Sequence, residues 1–380
     1  MFGYLGMVYA MMSIGVLGFV VWSWVLASPH SDMSAHNFAI CWNGLVLIGT
    51  YKGKNSISYT QSAGNLSLYS NFFVKKIQES KTQSASETTR ETSFNFLAFR
   101  LHYNALFGNY AQHLTNNWLT WFIGFVEGDG AIQSYENGRR VRFVLTQKES
   151  AILYYIQKNL AIGTVKHFPQ GTSGKKNDFY RLIVDNPSHI LLLAFLFNGN
   201  LAITHRIKQL SLWVKALNCR FGEDTILFIN TTVSVTLQDG WLSGFTDAEG
   251  CFNLSITSNV RYVLAHVIKM RYILDQKDKY ILEVIQNLFG FGKVTLRAKT
   301  DEVYRYTATG FKTINHVIFY FKTFPLLTKK AQSLEKWLTI HDIVSNKLHL
   351  SEQGLAKVRI LQKQININNS MTNKTGSAHA

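Results

Sequence analysis

From about residue 115 onward, apolar positions fall first at helical spacing, then alternate, then return to helical spacing. Residues 122–130, FIGFVEGDG, read as an apolar helix that stops at a glycine. Residues 131–136 alternate, Asn137-Gly138 supplies a hairpin turn, and 139–147 return as a second strand. Residues 150–160 carry a helical pattern. Short strands follow at 165–168 and 179–184, separated by a Gly/Ser/Lys-rich loop at 171–178, and helices at 187–197 and 204–217 close the series. The predicted order is αββαββα, an α+β unit.

The pattern then repeats. Residues 242–250, LSGFTDAEG, lie over 122–130 with Gly124 on Gly244, Phe125 on Phe245 and Gly130 on Gly250. IQKNLAIGTV at 156–165 lies over IQNLFGFGKV at 285–294, Gln147-Lys148 over Gln276-Lys277, and Trp213 over Trp337. The offset is 120 residues at the motifs, 129 at the second pair and 124 at the tryptophans. The hairpin after the second motif is therefore expected to be longer than its counterpart, and a later loop shorter. Two such units in one chain predict tandem pseudo-symmetric halves at 115–218 and 238–345, joined by a connector at 219–237. Residues 346–380 read as one helix, over 352–365, and a polar tail expected to be disordered.

The N-terminal third is different. Residues 3–27 contain no charged side chain and are long enough to span a bilayer. Residues 28–114 read as a linker, with a polar stretch at 79–93 (ESKTQSASETTRETS) expected to be disordered and aromatics recovering from 94.

Charge changes the picture more than size does. The 380 residues carry 39 Lys and Arg against 23 Asp and Glu, a net +16 and a pI near 9.6. Such an excess suits a polyanionic partner better than a small metabolite. Cys41, Cys219 and Cys251 are scattered, which argues against a disulfide framework and a zinc site.

The candidate chemistry sits in the repeated motifs. Each carries an acid at its eighth place, Asp129 in one and Glu249 in the other. Gly124 and Gly128, and likewise Gly240, Gly244 and Ala248, are spaced by four, stacking small residues on one helical face where a second helix can approach closely. Two such helices packed together bring Asp129 and Glu249 side by side at C-terminal helix ends that already carry partial negative charge. That arrangement asks for a divalent cation.

These motifs and their repeat resemble the double-motif LAGLIDADG homing endonucleases over about residues 115–345. The stretch FGYLGMVYAMMSIGVLGFVVW at 2–22 resembles a transmembrane segment of mitochondrial cytochrome c oxidase subunit I, the pattern of a fungal mitochondrial intron-encoded fusion. The resemblance implies a mitochondrial protein, tethered at the inner membrane before processing. It also implies metal-assisted hydrolysis of DNA phosphodiesters, with magnesium held by Asp129 and Glu249 and by the carbonyls of Gly128 and Ala248. Glu127 and Asp247 are expected to make structural hydrogen bonds. Around the attacking water the family places a glutamine, matched by Gln147 and Gln276, and a lysine. Lys329 in TKKAQ matches that lysine, and His205 in THRIKQ stands where it is expected in the first half, with Arg206 next to it.

The implied sheets would read a DNA major groove. Alternation puts Gln133, Tyr135, Arg140 and Arg142 on one face in the first half, and Asn253, Ser255, Lys269 and Arg271 serve by position in the second. Lys166, Arg297 and Lys299 lie on the other hairpins. The leading expectation is a monomeric, site-specific double-strand DNA endonuclease acting at an exon junction. An RNA maturase assisting its host intron needs the basic surface but not the acids. A membrane respiratory fragment is suggested only by residues 1–27 and is at odds with the polar, repeated remainder.

Overall fold

The computed structural model describes residues 36–40, 46–50, 93–108, 113–169, 178–261, 263–298, 300 and 302–365. The apolar segment at 1–27, most of the polar stretch at 79–93, the loop at 171–177, Lys299 and the tail at 366–380 lie outside them. Among the described residues no helix is long and apolar enough to cross a membrane. The chain divides into two compact units, 1–60 and 61–380. Within the first, β1 (His36–Ile40) pairs antiparallel with β2 (Val46–Thr50).

Among its described residues the second unit holds ten helices and two four-stranded sheets. A helix α1 (Leu97–Phe107) comes first and buries Phe99 and Tyr103. The aromatics that recover from Phe94 thus lead into the first half, and α1 packs in its core. Asn95 and Asn200 tie it down by exchanging hydrogen bonds of 2.7 and 2.8 Å. The first half then runs α2 (Asn116–Asp129), β3 (Gly130–Tyr135), β4 (Arg140–Gln147), α3 (Ser150–Leu160), β5 (Thr164–Phe168), β6 (Phe179–Val184), α4 (Pro187–Phe197) and α5 (Thr204–Phe221). The second repeats it as α6 (Trp241–Glu249), β7 (Gly250–Ser258), β8 (His266–Gln276), α7 (Lys279–Phe289), β9 (Lys293–Leu296), β10 (Tyr304–Thr309), α8 (Phe311–Thr323) and α9 (Lys330–Ser345). A last helix, α10 (Glu352–Gln364), packs against α9. Each half thus closes on two helices.

Both sheets are antiparallel and share one strand order, β3-β4-β6-β5 and β7-β8-β10-β9. As the changing offset predicts, the second hairpin is longer: β7 and β8 have 9 and 11 residues against 6 and 8 in β3 and β4. The inner faces are apolar, with Ile132, Phe143, Leu145, Leu182 and Val184 buried in one sheet and Phe252, Tyr272, Leu274, Tyr306 and Ala308 in the other. Trp213 and Trp337, the aligned pair, do the same work. Each is buried, and its indole N–H donates to the carbonyl of the fourth residue of β3 or β7, Gln133 at 2.8 Å and Asn253 at 3.1 Å.

The two motif helices pack face to face in the middle of this unit. From Trp118 to Glu127 every side of α2 is buried, so its polarity had to be confined to residues with internal partners. A side chain at Gly124 would run into the carbonyl of Trp241, one at Gly244 into that of Trp121, and one at Gly240 into that of Asn117. Backbone-to-backbone approach of this kind is open only to glycine at these three points. Gly130 and Gly250 have extended backbone, φ −76° and −83°, so neither is there for a left-handed helix cap. Added side chains would press on the last turn of their own helices, at Val126 and Thr246.

Candidate active site

Because α2 and α6 meet at small residues along their length, their C-terminal ends arrive together. A side chain at Gly128 would meet Ala248 and come within 3.2 Å of the Glu249 Cγ. Asp129 and Glu249 therefore project from adjoining helix ends. The charge of Asp129 acts on Glu249 directly. Loss of water first and that charge second push the Glu249 carboxyl up to about 7, and loss of water pushes Asp129 up from its ordinary value. Each acid is held by the glutamine expected beside it: Gln147 Nε2 donates to Asp129 Oδ2 at 2.6 Å, and Gln276 Nε2 to Glu249 Oε1 at 3.4 Å.

The cations at this place are not the expected ones. Lys330, rather than Lys329, turns toward the acids, and its amine donates to the carbonyls of Thr246 at 3.1 Å and Ala248 at 2.7 Å. In the first half Arg206, rather than His205, takes the matching position. Its guanidinium donates to the Glu127 carbonyl at 3.0 and 3.1 Å and to that of Gly128 at 3.0 Å. Both displacements have one cause. Lys329 caps the start of α9 and His205 is the second residue of α5, so both point out into solvent. The next residue in each helix, a turn-step further round, faces inward. Lys329 instead donates its backbone N–H to Glu149 Oε2 at 3.1 Å. His205 is exposed but loses part of its water against the protein, and this first and the neighbouring Arg206 charge second hold it below the usual histidine value.

Each motif helix is thus capped at its negative end by a cation from its own half. The two cations are shared among four acids, since Glu127 acts on Arg206 and Asp247 on Lys330 beside Asp129 and Glu249. The carbonyls of Gly128 and Ala248, expected as ligands, each already accept one of these hydrogen bonds, and each keeps a second lone pair. Among the described residues no three or more His, Cys, Asp and Glu side chains are placed to hold a metal ion together. The donors at this point are oxygens only, a set that fits a hard divalent cation such as magnesium and does not fit zinc.

The sixth-place acids are buried and structural in their contacts. Glu127 accepts from the backbone N–H groups of Ala202 and Ile203 at 2.8 and 2.7 Å and from the indole of Trp241 at 2.7 Å. Burial pushes it up to about 7 against the pull of those donors. Asp247 accepts from the Trp121 indole at 2.9 Å and from Leu327 N at 2.8 Å, Thr328 N at 3.3 Å and Thr328 Oγ1. Each half's tryptophan therefore satisfies the other half's acid. The sequence carries a signal for this, a tryptophan directly before each motif at 121 and 241, which the motif comparison passed over.

The sheets place their polar faces as alternation predicts. Gln133 stands opposite Arg142 and Tyr135 opposite Arg140 in one, Asn253 opposite Arg271 and Ser255 opposite Lys269 in the other. Lys166 lies on β5 across from Arg181, and Arg297 follows β9. Several of these side chains have acidic or amide partners that strand pattern could not reveal. Arg142 pairs with Asp185, Arg140 with Glu136, Arg271 with Asn253, and Arg297 with Asp275, which also holds Arg305. A cleft of about 1540 Å³ lies apart from the acids, at the β3–β4 turn and the C-terminal half of α5. Arg139, Lys215 and Arg220 line it and extend the basic surface.

Residues 242–341 match the LAGLIDADG endonuclease family. Over 265 residues the chain is 35% identical to the Neurospora crassa protein named "Probable intron-encoded endonuclease 4", covering 69% of this chain and 46% of that one. It is 26% identical over 241 residues to the "Uncharacterized cox1 intron-2 37.2 kDa protein" of Schizosaccharomyces pombe, covering 63% and 70% respectively. The chain thus spans about half the length of the Neurospora relative. Among solved structures, the LAGLIDADG meganuclease I-AabMI bound to uncleaved DNA aligns with a TM-score of 0.54 at 21% identity, over 66% of this chain and 99% of that one. At that identity the likeness speaks for the fold.

Proposed function

We propose that this chain, which carries a LAGLIDADG endonuclease domain, is a site-specific double-strand DNA endonuclease of the intron-homing kind, working in mitochondria with magnesium. The observation that carries the reading is the retained acid pair. Asp129 and Glu249 adjoin at the ends of two packed helices, each with its glutamine, beside two sheets with basic outer faces. A binding module that only holds RNA would have no use for two crowded carboxylates whose ionisation is opposed by their surroundings.

Arg206 and Lys330 are already shared among the acids of this cluster, so the approach of DNA phosphates adds negative charge that the protein's own cations do not meet. Asp129 and Glu249 would hold the divalent ion there, with the free lone pairs of the Gly128 and Ala248 carbonyls. When bound, the ion supplies charge against the scissile phosphates and lowers the pKa of an attacking water. Gln147 fixes the orientation of Asp129 through its 2.6 Å hydrogen bond, and Gln276 sits over Glu249 in the same sense. Arg206 and Lys330 hold the helix ends in place and keep positive charge beside the scissile position. The sheet residues Gln133, Tyr135, Arg140, Arg142, Lys166, Asn253, Ser255, Lys269, Arg271 and Arg297 would supply base and phosphate contacts. One chain with two halves suits a monomer on a long asymmetric target.

The test is direct. The full chain is incubated with magnesium and intronless host-gene duplex spanning the exon junction, and breaks are mapped on both strands. A single double-strand break at the junction is expected. Intact duplex, with binding only to the intron RNA, would overturn the nuclease reading in favour of a splicing aid.

A further inference from the structure

Five arginines lie on described strands of the two large sheets: Arg140, Arg142, Arg181, Arg271 and Arg305. Four of them have a side-chain partner inside the protein, Glu136, Asp185, Asn253 and Asp275 in that order. Arg181 has no acidic or amide partner among the described residues. Its Nε is buried without a hydrogen-bond partner. Its guanidinium packs instead on two phenylalanine rings, 5.0 Å from the centroid of Phe168 and 4.9 Å from that of Phe179. Those rings are themselves stacked at 5.3 Å and nearly parallel.

Arg305 occupies the matching place on β10, opposite Asp275 on β8, and the pair is bidentate at 2.6 and 2.7 Å. On β4 the residue opposite Arg181 is Thr146, which carries no charge. A guanidinium has five N–H donors and cannot lose its proton, so an arginine on a sheet without an acceptor is costly unless a partner arrives. The aromatic shelf fixes its plane in advance, which reduces the ordering cost of a two-point contact. Its neighbours decide the kind of partner. Leu182 and Val184 of β6 face the core, so Arg181 points to the outer face. β6 is an interior strand, between β4 and β5, which puts Arg181 within the face and away from its rim.

We propose that Arg181 is a specificity-determining residue for the first half-site, donating two N–H groups to O6 and N7 of one guanine in the major groove. The proposal rests on the DNA-cutting reading above and names one base contact within it. Phe168 and Phe179 are positioning residues for that contact.

The experiment selects cleavable duplexes from a randomised library with the full chain and magnesium, then measures binding to every single-base variant of the selected target. Arg181→Ala and Arg181→Lys should each lose about 5- to 150-fold of discrimination at one G·C pair of one half-site, with other positions unchanged. Thr146→Asp should produce the same loss with the arginine still present, by recreating the Asp275–Arg305 pairing in the first half. Melting temperature serves as the control for folding in all three. Uniform weakening across all targets, with a shallower salt dependence, would identify a phosphate contact and overturn the assignment. Unchanged discrimination in both Arg181 variants would overturn it as well while leaving the nuclease reading standing. A wild-type chain that selects no sequence would overturn both.

Discussion

Glu249 takes up its proton at about 7 in the folded protein, against an ordinary value of 4.5. Between those values the folded chain holds a proton that the unfolded chain has lost. The stabilisation is fully present below 4.5 and is lost as pH rises through about 7. Asp129, Asp247 and Glu127 are raised in the same sense. Melting temperature should therefore fall between about pH 5 and about pH 8, and Glu249→Gln should flatten that fall. Magnesium should restore several degrees at the upper end in the wild type and none in the Asp129→Asn/Glu249→Gln double variant, as thermal melts with and without the ion will tell. Lys330→Met should slow cleavage by at least about tenfold, since it removes the charge beside the acids. His205→Ala should leave both strand rates unchanged, because its ring stands outside the cluster. The one-residue displacement from Lys329 to Lys330 and from His205 to Arg206 was not legible in the sequence. It depends on where α9 and α5 begin, and helix starts are the least certain feature of a periodic pattern. Four other members, Asp129, Glu249, Gln147 and Gln276, were legible because each repeats at the same place in two copies.

Among the elements, α2 and α6 set everything else. Gly244→Leu would force a side chain into the Trp121 carbonyl and part the helices, at a cost of roughly 1–3 kcal/mol or more. Chemical denaturation of this variant should show a lowered midpoint, and cleavage should fall with it because the acids no longer adjoin. Normal stability would mean that α2 and α6 do not meet. Trp121→Phe tests the crossed hydrogen bonds separately. It keeps the ring but removes the N–H that satisfies buried Asp247, and should cost about 1–3 kcal/mol. Hairpins and sheet faces were readable from alternation, since strand period fixes which side chains share a face. The tryptophan exchange was not, because each hydrogen bond joins residues more than a hundred positions apart.

For the whole molecule, the decisive properties are the pseudo-symmetric pair of sheets and the charge of +16. Deleting residues 1–92 should leave cleavage intact, since among the described residues of the second unit the support of the site begins with Asn95, Phe96 and α1. Loss of cleavage in a well-folded truncation would assign the N-terminal region a part in the site. Two halves were evident from self-similarity alone, whereas the docking of α1 onto the first half was not, its aromatics having no counterpart in the second copy. The most direct measurement of the central claim compares wild type with Asp129→Asn/Glu249→Gln on one junction duplex in magnesium, reading binding by gel shift and breaks on both strands. Affinity within about tenfold of wild type and no cleavage are expected, because the two side chains are proposed to hold metal and to touch no groove. Double-strand cleavage by the double variant at the wild-type rate would contradict the central claim.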